Sequence, residues 1–260
     1  MSRLLLVLLA LIAPLCDADT ETPEQRGSAI ALEMDRRDAG WRDMRAHMEM
    51  VLRNRQGDES RRLLRTQTLE VDGDGDKGLT IFETPLDVKG TAFLSFTHVT
   101  EPDDQWMYLP ALKRVKRIAS VTKSGPFMGS EFAYEDLSSN EVEKYGYKWL
   151  RDEVLGDRPV HVLERYPVYQ HSGYRRQIVW IDKAMLRPVV VEFFDRKDML
   201  LKTLKYYDYR KYMNIFWRAD RMEMNNHQTG RSTELIWRDY QFQTGLNEYD
   251  FDKTTLKRIH

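Results

Sequence analysis

The sequence holds a single cysteine, Cys16, and places it inside the apolar N-terminal run. With no thiol after it, the rest of the chain can form no disulfide, and thiol catalysis and cysteine-based metal sites are excluded together. A surplus of one charge is also lacking, since 40 Lys plus Arg stand against 41 Asp plus Glu. Nucleic-acid binders carry a clustered basic excess, so no nucleic-acid partner is expected. After the N-terminal run no apolar stretch is long enough to cross a bilayer as a helix. No Gly-x-Ser-x-Gly elbow, phosphate loop or dinucleotide fingerprint is present. The six histidines (His47, His98, His161, His171, His227 and His260) form no close pair at ligand spacing, so no metal and no cofactor is expected. The remaining catalytic route is a carboxylate pair assembled from distant strands, and the chain reads as a non-enzyme.

What is present starts with a leader. Arg3 precedes the apolar run 4–13, which Pro14 ends. That length fits a secretory signal and is too short for a membrane span. Small side chains at Cys16 and Ala18 predict cleavage after Ala18, which makes 1–18 the leader and 19–260 one domain. The alternative makes Cys16 a lipid-attachment site, although Pro14 and Leu15 are poor residues to precede it. Export as a soluble monomer is expected.

One helix is predicted, over 23–39. Thr22 is its N-cap, Pro23 its first residue, and Gln25 completes the capping-box spacing, with Gly40 as the stop. Beyond it the period changes to two. Alternating runs at 47–54, 63–71, 79–83, 91–99, 105–109 and 114–118, and again at 148–155, 160–166, 175–181, 189–194, 200–209, 216–225 and 232–242, are separated by turn residues about every ten positions. With no long helical pattern between the strands, the sheet is expected to be antiparallel, large and curved. The stretch 124–147 differs. Gly125, Pro126, Gly129 and Ser138 are mixed there with Phe127, Met128, Phe132 and Tyr134. It reads either as a satellite of the core or as a lid over a pocket.

Parity along the strands marks one greasy face. Val189, Val191 and Phe193 oppose Glu192; Met222 and Met224 oppose Arg221 and Glu223; Leu235 and Trp237 oppose Glu234 and Arg238. Trp106 and Tyr108 are assigned to the same face. Methionine adapts to irregular apolar partners, so these nine are the candidate cavity residues. An ordinary core under the helix explains part of them, but one helix and one loop are little cover for about twelve strands. Either the sheet closes or it keeps a cavity. Lys113, Arg114, Lys116 and Arg117 cluster four cations on one short strand. They either protect an edge strand from aggregation or dock anionic head groups or an acidic partner. Asp72, Asp74, Asp76 and Glu83 imitate calcium-loop spacing, but Lys77 stands where that loop needs glycine, so a solvated turn is predicted. Asp103 and Asp104 follow Pro102 in another expected solvated turn.

The chain resembles the outer-membrane lipoprotein-sorting proteins, a group similar to LolA. The resemblance is carried by Pro85-Leu86-Asp87-Val88-Lys89-Gly90-Thr91-Ala92-Phe93-Leu94, by Gln105-Trp106-Met107-Tyr108-Leu109-Pro110-Ala111-Leu112-Lys113-Arg114-Val115 and by Phe127-Met128-Gly129-Ser130. Tyr134-Glu135-Asp136-Leu137, Val179-Trp180-Ile181-Asp182 and Met222-Glu223-Met224 extend it along the mature chain. It implies a mainly β fold, an unclosed half-barrel covered by an N-terminal helix and a short-helix lid. It also implies a periplasmic carrier for acyl chains of a lipid or lipoprotein, with an RND-type (MMPL-like) permease as partner and no catalytic residues. A purely structural accessory subunit of an exporter, with a filled core, is the competing expectation.

Overall fold

The computed structural model describes residues 21–139, 141–254 and 256–258. The expected leader and Cys16 lie outside the described residues. Helix α1 spans Pro23–Arg36. Its capping box is present, with Gln25 N–H donating to Thr22 Oγ1 at 3.1 Å and Thr22 N–H to Gln25 Oε1 at 2.7 Å. It stops three residues before the expected end. Asp38 N–H turns back to the Asp35 carbonyl, and Gly40 at φ +99° reverses the chain towards Trp41.

Thirteen strands follow: β1 Asp43–Arg53, β2 Glu59–Leu69, β3 Lys77–Thr84, β4 Ala92–Phe96, β5 Asp104–Leu109 and β6 Arg114–Ile118, then β7 Tyr145–Leu155, β8 Arg158–Pro167, β9 Tyr174–Asp182, β10 Arg187–Asp195, β11 Leu200–Tyr212, β12 Phe216–Asn226 and β13 Ser232–Phe242. They make one antiparallel sheet in the order β6-β5-β4-β3-β2-β1-β13-β12-β11-β10-β9-β8-β7. The first and last strands pair at its centre, with Met48 opposite Trp237 and Met50 opposite Leu235. Two meanders spread from that seam and end in β6 and β7, which do not pair with each other. The sheet is therefore an unclosed barrel, as expected.

The inner face carries the main core, including Met50, Leu64, Phe82, Phe93, Val191 and Met224. A second cluster occupies the outer face of β3–β5, where Leu79, Leu94 and Trp106 are covered by Leu246, Phe251 and Leu256 from the chain after β13. A third holds Val160, Val162, Ile178 and Val189. α1 closes the β7 edge, and it presses hard: a Cβ on Gly27 would sit 2.7 Å from the Trp149 backbone nitrogen. Among the described residues no α-helix lies on the opposite edge, β6, which meets the short 3-10 turn Leu256–Arg258.

In an ordinary helix interior Gly→Ala is worth up to about 1 kcal/mol of stabilisation. Here Gly27→Ala is expected to destabilise by about 1–3 kcal/mol because the helix must lift from β7. Urea denaturation of the variant beside the parent checks this, and a stabilised variant would show that the helix does not bear on that strand.

Candidate functional site: a cavity beneath the crossing segment

The chain between β6 and β7, residues 119–144, carries the backbone from one free edge of the sheet to the other. It forms short 3-10 turns at Phe127–Gly129, Tyr134–Leu137 and Val142–Lys144. Phe127 and Phe132 are driven into the inner face, where Phe127 packs on Phe93 with ring centroids 5.2 Å apart and on Phe82 at 5.9 Å. Tyr134 meets Phe127 edge-on at 5.5 Å, and Met128 packs against the same core. All four predicted lid residues thus belong to the crossing segment and face the sheet.

Polar bonds fix this segment to both meanders. Asp136 accepts from Lys202 Nζ at 2.7 Å and from the Tyr174 hydroxyl at 2.8 Å, and both members of the ion pair are buried. Glu135 accepts from Gly173 N–H, Ser172 Oγ and the Tyr169 hydroxyl at 2.8–3.0 Å. Glu131 N–H donates to Thr233 Oγ1, while the Glu131 carboxylate takes Asn226 Nδ2 and Arg231 Nε. On the other meander Arg62 Nη1 donates to the Met128 carbonyl at 2.6 Å, and Lys144 pairs with Asp103. Asp103 is buried and also accepts from Ser138 Oγ, which corrects the expected solvated turn. The segment is a tied strut rather than a loose flap. No sequence signal exposed these ties, because Lys202 and Asp136 lie 66 residues apart.

Beneath the strut lies a cavity of about 870 Å³. Val191, Phe193, Met222, Leu235 and Trp237 line it, with Phe127 and Phe132 from the strut. Met224 is fully buried in the core of the same face. The other three candidates do not reach it. Trp106 and Tyr108 point to the outer face under the chain after β13, and it is Met107, between them, that points inward. Val189 sits at a bulge between Pro188 and Val190, which turns it into the outer cluster despite its parity with Val191. The cations of the basic patch, Lys113, Arg114, Lys116 and Arg117, are exposed at and beside the β6 edge, where Arg117 bonds Asp104.

The lining is not uniformly apolar. Arg165 donates Nε–H to Gln177 Oε1 at 2.7 Å, and its guanidinium lies 4.5 Å from the Tyr145 ring centre. Burial pushes the Tyr206 hydroxyl up to about 12. Trp237 Nε1 is buried with no partner. The cavity reaches solvent where its exposed lining residues Asp35, Ala39 and Asp72 lie. That rim is acidic, with Glu70, Asp76 and Glu141 beside them, while Asp38 is paired with Arg187 and Arg218. Desolvation, reinforced by Glu141, raises Asp76 to about 7, and burial also raises Asp35 and Glu141. The turn that imitates a calcium loop is thus only partly solvated. Asp74 is spent on His98 Nδ1 at 2.7 Å and on Val99 N–H, and Gly75 abuts Thr97.

A family model described as an uncharacterized protein matches residues 74–258. An outer membrane lipoprotein-sorting protein domain from Vibrio parahaemolyticus is 59% identical, with 90% of this chain and all of that one covered and a TM-score of 0.89. The chain belongs to the outer membrane lipoprotein-sorting protein family. A DUF1329 family protein from Desulfovibrio piger resembles this family member at 29% identity, covering 90% of this chain and 99% of that one, with a TM-score of 0.86. A LolA superfamily protein from Nitrosomonas europaea shares the fold at 20% identity, covering 88% and 98% of the two chains, with a TM-score of 0.70. No curated protein matches the chain.

Two outcomes follow for this family member. A carboxyl whose pKa is raised on folding stabilises below its unfolded value, and that stability is lost as pH rises to the folded value. For Asp76 the window runs from 3.8 to about 7. The melting temperature should fall between about pH 4 and pH 7, and Asp76→Asn should flatten that fall; an unchanged slope in differential scanning fluorimetry would refute it. Lys202→Met alone should cost about 3–5 kcal/mol by stranding a buried charge, and the double change with Asp136→Leu should recover most of it. Denaturation of the three variants as a double-mutant cycle reads the coupling, and simple additivity would count against the buried pair.

Proposed function

We propose that this protein is a periplasmic carrier that shelters the acyl chains of a lipid or lipoprotein in transit towards the outer membrane. The observation that carries this is the cavity of about 870 Å³ on the inner face of an unclosed sheet, floored by Met222, Leu235, Trp237, Val191 and Phe193. Its volume falls within the range of about 300–1,000 Å³ usual for ligand sites, and its lining joins Met44, Met48 and Met222 to aromatic rings. Each methylene leaving water gains about 0.8 kcal/mol, so a long chain gains about 12 kcal/mol. A carrier must give that energy back on release. The strut 119–144 supplies the counterweight, because moving it would break the Lys202–Asp136 pair and expose Phe127 and Phe132. Close identity to a lipoprotein-sorting domain supports the cargo class. An RND-type permease as the partner, export by a cleaved leader, and the basic β6 edge as the surface that meets an envelope partner complete the reading.

Native mass spectrometry of protein purified from a membrane-containing host tests it. Wild-type protein is expected to carry one lipid-sized adduct, and Trp237→Asp, with an unchanged circular dichroism spectrum, is expected to lose it. A wild-type protein without adduct that also takes up no apolar fluorophore would leave the accessory-subunit reading in its place.

A further inference from the structure

A second depression lies on the far side of the strut. This cleft of about 600 Å³ runs between residues 124–133 and the hairpin turns after β8, β10 and β12. It shares two lining residues with the interior cavity, Phe132 and Tyr174. Those two rings are therefore a wall between an outside cleft and the inside space. The buried ion pair spans the same wall, since Lys202 lines the cleft and its partner Asp136 lines the cavity. The Lys202 ammonium also sits 5.2 Å from the centres of the Tyr174 and Phe193 rings. A buried ion pair is a poor way to gain stability compared with apolar packing of similar volume, so its position in this wall calls for another reason.

The cleft differs from the cavity in charge. Arg196, Lys197 and Arg231 line it against two carboxylates, Glu131 and Asp195, with Arg231 paired to Glu131 at 3.1 Å and Lys202 already neutralised by Asp136. Arg196, Lys197 and Arg231 are exposed there, on a protein whose net charge is −1. The open rim of the cavity near Asp35 and Asp72 is acidic and would repel an anion. An acidic rim and a cationic cleft, two concave surfaces of different charge, thus flank one interior.

We infer that the cleft is the head-group subsite of the carrier, holding the phosphate or carboxylate of an anionic single-chain amphiphile at Arg196, Lys197 and Arg231 while its acyl chain passes between Phe132 and Tyr174 into the cavity. This rests on the carrier reading and narrows its cargo to lipids with a negative head. The incoming anion competes with Asp136 for the Lys202 ammonium and so loosens the wall at the moment of entry. The same contacts re-form when the cargo leaves.

Displacement of N-phenyl-1-naphthylamine from the full chain tests it, with lysophosphatidylglycerol, a free fatty acid and lysophosphatidylcholine of the same acyl length as competitors. The two anionic lipids are expected to displace the dye at about tenfold lower concentration than the zwitterionic one, with the advantage shrinking at high salt. Preference for one anionic lipid over the other tells phosphate from carboxylate. Arg196→Glu with Lys197→Glu, both on exposed turn positions, is expected to abolish the advantage and leave dye affinity unchanged. Equal displacement by all three lipids in wild type, or a preference that survives the double change, overturns the subsite and leaves the carrier reading intact. A dye that never binds sinks both.

Discussion

The constraint on which the rest depends is that β6 and β7 never meet. A sheet of thirteen strands buries its inner face only if it closes or if something else covers that face. One short helix at the β7 edge covers little of it. The chain segment between the two free edges is therefore obliged to cross the opening, and in crossing it brings Phe127 and Phe132 down onto Phe82 and Phe93. That plug fills only part of the space. The remainder is the cavity, whose existence follows from the mismatch between the width of the sheet and the size of its cover.

Crossing an apolar opening with a loop leaves backbone and side-chain polar groups to satisfy, and the protein satisfies them with charge. Lys202 reaches Asp136, Lys144 reaches Asp103, and Glu135 collects three donors from the turn before β9. Each of these joins residues from opposite meanders or from the strut to a meander. They act as directional ties where apolar contacts would let the segment slide. The consequence for function is that the cover is firm at rest but is held by bonds that another charge can compete for. Charge also distinguishes the interior cavity from the cleft outside the strut, with Asp35, Asp72 and Asp76 at the rim of the first and Arg196, Lys197 and Arg231 lining the second.

Much of the architecture was legible in local pattern. The capping box at Thr22 and Gln25, the period of two through the thirteen strands and the turn residues between them are short-range signals, set by propensity and alternation. Parity placed Val191, Phe193, Met222, Met224, Leu235 and Trp237 on the inner face. It failed at Val189, because a bulge inserts one residue and reverses the alternation without any mark in the sequence. It failed at Trp106 and Tyr108 for another reason. Parity says which residues share a face but not which face is inside, and the outer face of β3–β5 is made apolar by its own cover, Leu246, Phe251 and Leu256.

The sequence by itself determined the element types, the antiparallel order of neighbours and the family, because these rest on spacing within a few residues or on runs of identity. The open sheet was implied by the family resemblance and by no local pattern, and only the tertiary structure decided that the first strand pairs with the last and that the crossing segment is tied rather than loose. Each of those depends on pairs of residues far apart in the chain, such as Met50 with Leu235 or Lys202 with Asp136, and nothing local encodes which distant partner a strand edge or a buried charge will find.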